Sequence, residues 1–275
     1  MSIAWEQETI LAIRAVAEGG RLAKERRFEM AATPKESLRD VVTAADIAIE
    51  SSIRIALAEM AYPVVGEELS PERLIASGGD SPFWAVDPID GTANYVNGFD
   101  CYAVSVGLVT EREFLVGAVC LPERTELFCT LGKDRALLNG RIISHAHRPP
   151  SESLIAASFS GTRGDVSIRE RQFRLFGDLN DRSRGCLRTG SAASNICLTA
   201  AGRFQAAYGT NAKIWDVAGG LAVATRSGCC VWTARSDDGL SIDYIVGSKD
   251  TVAMIREHAM QLGVFSDALE TAHQL

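Results

Sequence analysis

Two hydrophobic periodicities alternate along the chain. Ile10, Ile13 and Ala17 recur at helical spacing and predict a first helix running to about Arg26. After Val42-Thr43, the stripe Ile49, Ile53 and Leu57 predicts a second helix. Short β-type runs follow at Pro63–Val65, Trp84–Val86, Ala103–Val109, Val116–Leu121 and Leu127–Thr130. The polar stretch His145–Ser153 carries two prolines and predicts a connection between domains. Beyond it, strands (Leu154–Phe159, Phe204–Tyr208, Cys229–Thr233, Tyr244–Gly247) alternate with helices (Ile168–Gly177, Ala192–Ala201, Asp216–Arg226, Thr251–Leu262). This order predicts an α+β half over residues 1–146 joined to an α/β half over residues 147–275.

Composition narrows the function classes. At 275 residues and 47% hydrophobic, the chain can bury a sizeable core, which excludes disorder over most of its length. It carries 28 basic and 35 acidic residues, net −7. Such a surface repels phosphate backbones and anionic membranes, so nucleic-acid and membrane partners are not expected. To handle an anion it needs a local positive charge, from a metal ion or a few placed bases. Seven cysteines, an odd number with no CxxC, predict reduced thiols and a cytoplasmic protein. With only four histidines a His/Cys zinc site is not expected, so a metal here would be held by oxygen. The N-terminus lacks a basic n-region, and no apolar run approaches the ~20 residues that span a bilayer.

The segment Trp84–Phe99, WAVDPIDGTANYVNGF, carries the candidate chemistry. A strand is expected to end in Asp87, with Pro88 fixing a turn and Asp90 three residues on. Two carboxylates there can face one another across a hard cation. Gly91-Thr92 opens a helix, whose amides can hold an anionic oxygen beside it. Alone, DPxD is equally an Asp-Pro turn with an Asp helix cap. Three more acidic features accompany it. Glu67 follows the strand Pro63–Val65. Asp216 begins a helix of small residues, where it also suits a cap. Thr43-x-x-Asp46 has the pattern of a capping box.

Taken together, these motifs resemble the inositol monophosphatase family, Mg²⁺-dependent and often lithium-sensitive phosphomonoesterases. DPIDGT with downstream Phe99, WDVAGG at Trp215–Gly220, GEE at residues 66–68 and DVVTAAD at residues 40–46 all stand in the family's order. The resemblance implies a layered αβαβα sandwich and a homodimer. It also implies two or three Mg²⁺ ions: Glu67, Asp87 and the Ile89 carbonyl for the first, and Asp87, Asp90 and Asp216 for the second. Glu67 and Thr92 would orient the attacking water, with Asp46 as partner to Thr92. The Gly91 and Thr92 amides would bind phosphate, and Lys35 occupies the position of a family lysine near the metals. Gly190, Ser191, Ala192, Gly209 and Lys213 are the candidate substrate contacts. A regulatory protein that kept the fold is the non-enzyme alternative, and the spacing lacks the DxDxDG run of a calcium loop.

The substrate stays open: an inositol phosphate, histidinol phosphate or a 3′,5′-bisphosphate nucleotide all suit the motifs. In inositol-specific members an acidic residue seven positions before the WD aspartate binds ring hydroxyls. The ungapped count from Asp216 gives Gly209, which offers no acceptor. The expectation is therefore a protein not strictly specific for inositol 1-phosphate, improved toward it by Gly209→Glu.

Overall fold

The run Ala103–Val109 has no polar alternation because all seven of its residues are buried, as a strand covered on both faces requires. In the computed structural model that strand lies inside a five-layer αβαβα sandwich. The structure describes residues 4–27, 33–34, 41–69, 81–159, 166–236, 239–265 and 270–273. The first half contains helix α1 (Glu6–Arg26), strands β1 (Thr33–Pro34) and β2 (Val41–Val42), helix α2 (Ala44–Leu57) and strand β3 (Val64–Gly66). It continues with β4 (Phe83–Asp90), α3 (Thr92–Val96), β5 (Ala103–Val109), β6 (Phe114–Leu121), β7 (Glu126–Leu131), β8 (Arg135–Leu138) and β9 (Arg141–Ile143). The second half runs β10 (Leu154–Phe159), α4 (Val166–Asp181), β11 (Gly185–Leu187), α5 (Ala192–Ala200), β12 (Ala206–Lys213) and α6 (Ile214–Arg226). Strands β13 (Cys230–Arg235) and β14 (Ser241–Gly247), helix α7 (Lys249–Gln261) and strand β15 (Glu270–His273) complete it.

Strands β3 to β9 form a seven-stranded sheet in sequence order, antiparallel except for the β3–β4 pair. The second sheet has six strands in the order β11-β10-β12-β14-β13-β15. Helices α1 and α2 cover one face of the first sheet, and α5 and α6 fill the space between the sheets. Helices α4 and α7 cover the outer face of the second. The middle core joins residues of both halves, among them Ala85, Val119, Ile196, Val217 and Tyr244.

Helix α6 sits close on the first sheet because both surfaces are stripped of side chains. A Cβ on Gly107 of β5 would stand 2.7 Å from the Ala218 Cβ, and one on Gly117 of β6 would stand 2.2 Å from the Gly219 carbonyl oxygen. That contact fixes the height of Asp216, at the start of α6, above the strands.

Strand β4 runs past the expected end at Asp87 and carries the DPID motif inside it. Its register against β5 shifts between Asp87, opposite Ser105, and Asp90, opposite Ala103. Three steps on β4 thus match two on β5. In a regular strand, residues three apart point to opposite faces. The extra residue of the bulge returns Asp90 to the side of Asp87. A turn at Pro88 was the wrong reading, and a bulge does the work instead.

Candidate metal centre

Three elements bring carboxylates together. Glu67 follows β3, Asp87 lies in β4 and Asp216 is the third residue of α6; one ligand oxygen of each lies within 4.8 Å of the others. The Glu67 amide donates to the Val86 carbonyl at 3.2 Å, which ties its turn to the strand carrying Asp87. Asp87 Oδ1 accepts the Ile89 N–H at 2.9 Å, and Asp216 Oδ2 accepts the Lys213 N–H at 2.9 Å. Asp216 therefore serves its helix as a cap while its carboxylate faces the cluster.

Asp90 is buried and turned toward the neighbouring layer. Its carboxylate accepts from the Ser191 hydroxyl and from the amides of Ala192 (3.2 Å) and Ala193 (2.8 Å), at the N-terminus of α5. A helix N-terminus favours such an anion. One strand of the first sheet thus caps a helix of the second half.

Asp46 reconciles two readings of its motif. Its Oδ2 accepts from the Thr43 amide (2.8 Å) and hydroxyl (2.6 Å), a complete capping box. Its Oδ1 lies 3.4 Å from the Thr92 hydroxyl, which also lies 3.0 Å from the Ile89 carbonyl. Gly91 precedes Thr92 with φ 96°, and a Cβ there would press on the carbonyls of Cys101 and Gly190 at 3.1 Å.

The electrostatics are those of acids crowded out of water. Burial, then the charges of Glu67, Asp90, Asp216 and Asp46, push Asp87 well above the usual carboxylate range. Asp216 is raised by burial, then by Glu67 and Asp90, with Lys213 opposing. Burial lifts Asp46 to about 6 against the Thr43 hydrogen bonds, and Asp90 to about 6 against its donors on α5. Like charges at this spacing, with Asp87 buried and Glu67 and Asp216 half-buried, call for a cation between them. An all-oxygen donor set fits a hard ion such as Mg²⁺.

An open cleft of about 210 Å³ adjoins Asp90 and Asp216, walled by Gly190, Ala192, Arg188, Thr210 and Asn211. The Arg188 guanidinium stacks over the Phe159 ring at 4.9 Å and donates to the Phe159 carbonyl at 2.8 Å. Three expected substrate contacts are placed differently. Ser191 is buried and its hydroxyl donates to Asp90. Lys213 Nζ lies 3.2 Å from Ser241 Oγ and is not part of the cleft wall. Gly209 lies within β12, where a Cβ would stand 2.3 Å from the Tyr244 ring. A register shift between Gly209 and Ala212, with Asn211 at φ 51°, puts Thr210 and Asn211 on the cleft instead. Lys35 lies outside the described residues.

Gly209→Glu therefore has no room, and even Gly209→Ala is expected to destabilise by about 1–3 kcal/mol. A lowered urea midpoint at unchanged slope would show it; an unchanged midpoint would contradict the packing. Sequence reasoning also missed Asn94, whose side-chain amide donates to the Cys101 (2.6 Å) and Thr189 (2.8 Å) carbonyls. It thereby ties α3 to the turn before α5.

Comparison with known proteins gives the family. The pattern of the inositol monophosphatase family matches residues 4–263, and the chain belongs to that family. It is a phosphatase of that type, hydrolysing phosphomonoesters. It is 31% identical over 258 residues to the fructose-1,6-bisphosphatase/inositol-1-monophosphatase of Aquifex aeolicus, spanning 90% of this chain and 94% of that protein. Identity to inositol monophosphatase 1 of Bos taurus is 30% over 264 residues, 92% of this chain and 94% of that one. The solved structure of Mycobacterium tuberculosis SuhB matches with a TM-score of 0.77 at 26% identity, covering 95% of this chain and 99% of that one. No helix among the described residues is long and apolar enough to cross a membrane.

Proposed function

We propose that the protein is a Mg²⁺-dependent phosphatase of a small phosphorylated metabolite, with Glu67, Asp87 and Asp216 holding the metal. The observation that supports this reading is the convergence of those three carboxylates from separate elements beside an open cleft. Asp90 and the Ile89 carbonyl complete the donor set with lone pairs left by their present hydrogen bonds. Mg²⁺, when bound, supplies positive charge to the phosphoryl oxygens and acidity to a water. The chain's own residues do the rest. Glu67 and the Thr92 hydroxyl orient the attacking water. Asp46, lifted to about 6 and 3.4 Å from that hydroxyl, is placed to hold a proton near neutral pH. The Gly91 and Thr92 amides take phosphate oxygens.

Arg188, over the Phe159 ring, gives the cleft a cation. Substrates with a second anionic group should therefore be accepted alongside inositol 1-phosphate. A panel of inositol 1-phosphate, fructose 1,6-bisphosphate, histidinol phosphate and adenosine 3′,5′-bisphosphate, with and without Mg²⁺, tests both parts. Phosphate release is expected to need Mg²⁺ and to stop with chelator. A preference for inositol 1-phosphate of about a hundredfold, worth ~2.7 kcal/mol, would overturn the substrate reading. In the same assay, millimolar Li⁺ at low Mg²⁺ should inhibit; a flat titration would count against it. We expect a homodimer in the cytoplasm, and light scattering would measure the assembly.

A further inference from the structure

The buried stripe of α2 contains a charge. Asp46, Glu50, Ile53 and Leu57 follow one another at helical spacing, and Glu50 is 0% exposed. Its carboxylate leaves the helix for the turn that carries Glu67. Oε2 accepts the Glu68 N–H at 2.7 Å, and Oε1 accepts the Leu69 N–H at 3.2 Å. Arg54, one turn on, donates to Oε1 through Nε at 2.9 Å and spans to the Val64 carbonyl at 3.2 Å. Gly66 makes the approach possible, since a Cβ there would lie 2.1 Å from Glu50 Oε1.

The Glu68 N–H belongs to the peptide that follows Glu67. Holding it fixes the backbone of Glu67 on its C-terminal side, while the bond from Glu67 N–H to Val86 fixes the other side. We infer that Glu50 is a positioning residue for Glu67 and sets the affinity of the site for Mg²⁺ without touching metal or substrate. This rests on the reading of Glu67 as a metal ligand. Charged acceptors of backbone N–H groups are among the stronger hydrogen bonds, and groups that orient a ligand affect affinity through it.

The test is Glu50→Gln in the full chain. Glutamine keeps the shape but has one acceptor oxygen, so its NH₂ must face a donor. Mg²⁺ affinity, read by calorimetry without substrate, is expected to fall roughly 10-fold. The Mg²⁺ needed for half-maximal rate should rise in step, with the rate at saturating Mg²⁺ kept within about threefold. A folded E50Q with unchanged Mg²⁺ affinity overturns the inference. Glu67→Gln, run beside it, separates the two claims. If E67Q loses Mg²⁺ binding and E50Q does not, the metal site stands and the positioning role falls. If E67Q binds Mg²⁺ normally, both fall. Should E50Q not fold, Arg54→Gln takes its place, with an expected loss of about threefold, and unchanged affinity there is equally fatal.

Discussion

Asp87→Asn is expected to reduce phosphomonoester hydrolysis by at least ~10²–10³-fold while making the metal-free protein more stable. Function and stability are opposed at this position because the carboxylate is buried among others. Burial, then Glu67, Asp90, Asp216 and Asp46, all disfavour its charge. Asparagine keeps the oxygen that accepts the Ile89 N–H at 2.9 Å and drops the charge. Removing an uncompensated buried charge stabilises by on the order of 1–3 kcal/mol. For a chain of this size each kcal/mol shifts Tm by about 2–4 °C. Melting in chelator should therefore place D87N above the unmodified protein, and Mg²⁺ should reverse the order. A variant that melts lower in chelator, or retains normal turnover, would remove Asp87 from the centre of the site.

Acid should act on the metal-free protein in the same direction as that substitution. Burial pushes Asp46 and Asp90 up to about 6 in the folded chain, and burial with the neighbouring carboxylates raises Asp87 and Asp216 well above the usual aspartate value of 3.8. For carboxyls raised in this way the folded state binds protons first. The penalty is full above the folded values, shrinks as pH falls through them and vanishes below 3.8. Metal-free stability should accordingly rise as pH drops from about 7 toward 5. Below that window the ion pair of Glu126 with Arg203, whose carboxyl lies below its usual 4.5, is lost and stability falls again. Mg²⁺ binding must displace these protons, so its thermal shift should be several-fold larger at pH 7.5 than at pH 5.5. Equal shifts at the two values would mean that Mg²⁺ binds elsewhere.

The sequence was most readable where burial is uniform. β5 and β10 occupy the residues that their apolar runs span, because helices cover both faces and each run carries a single small polar residue, Ser105 or Ser158. The short strands β8, β9 and β11 were missed. They lie toward sheet edges, with Ile142 63% exposed, and carry no periodicity to find. The acidic motifs stood out because each is compact in sequence. What they fold against did not. Ser191 reads as a substrate contact until Asp90, 101 residues earlier, is placed beside it. Gly209 follows from an ungapped count back from Asp216, which says nothing of the register shift that puts Thr210 and Asn211 on the cleft instead. Glu50 left one signal that could have been used, a charge on the same helical stripe as Ile53 and Leu57.

The handclasp of Asp90 with α5 has a consequence for synthesis. Its partners stand 101 to 103 residues further along the chain. A ribosome releases the acidic strand first, so Asp87 and Asp90 emerge before the helix that Asp90 caps and the aspartate that joins Asp87. Until residue 216 has been made, the nascent segment carries the charges of the site without its counterparts. Pairings so distant in sequence form slowly, because the loop must close before they reward it. In refolding, the sheets should therefore regain their circular dichroism before catalytic activity returns, with the catalytic centre the last part of the molecule to mature.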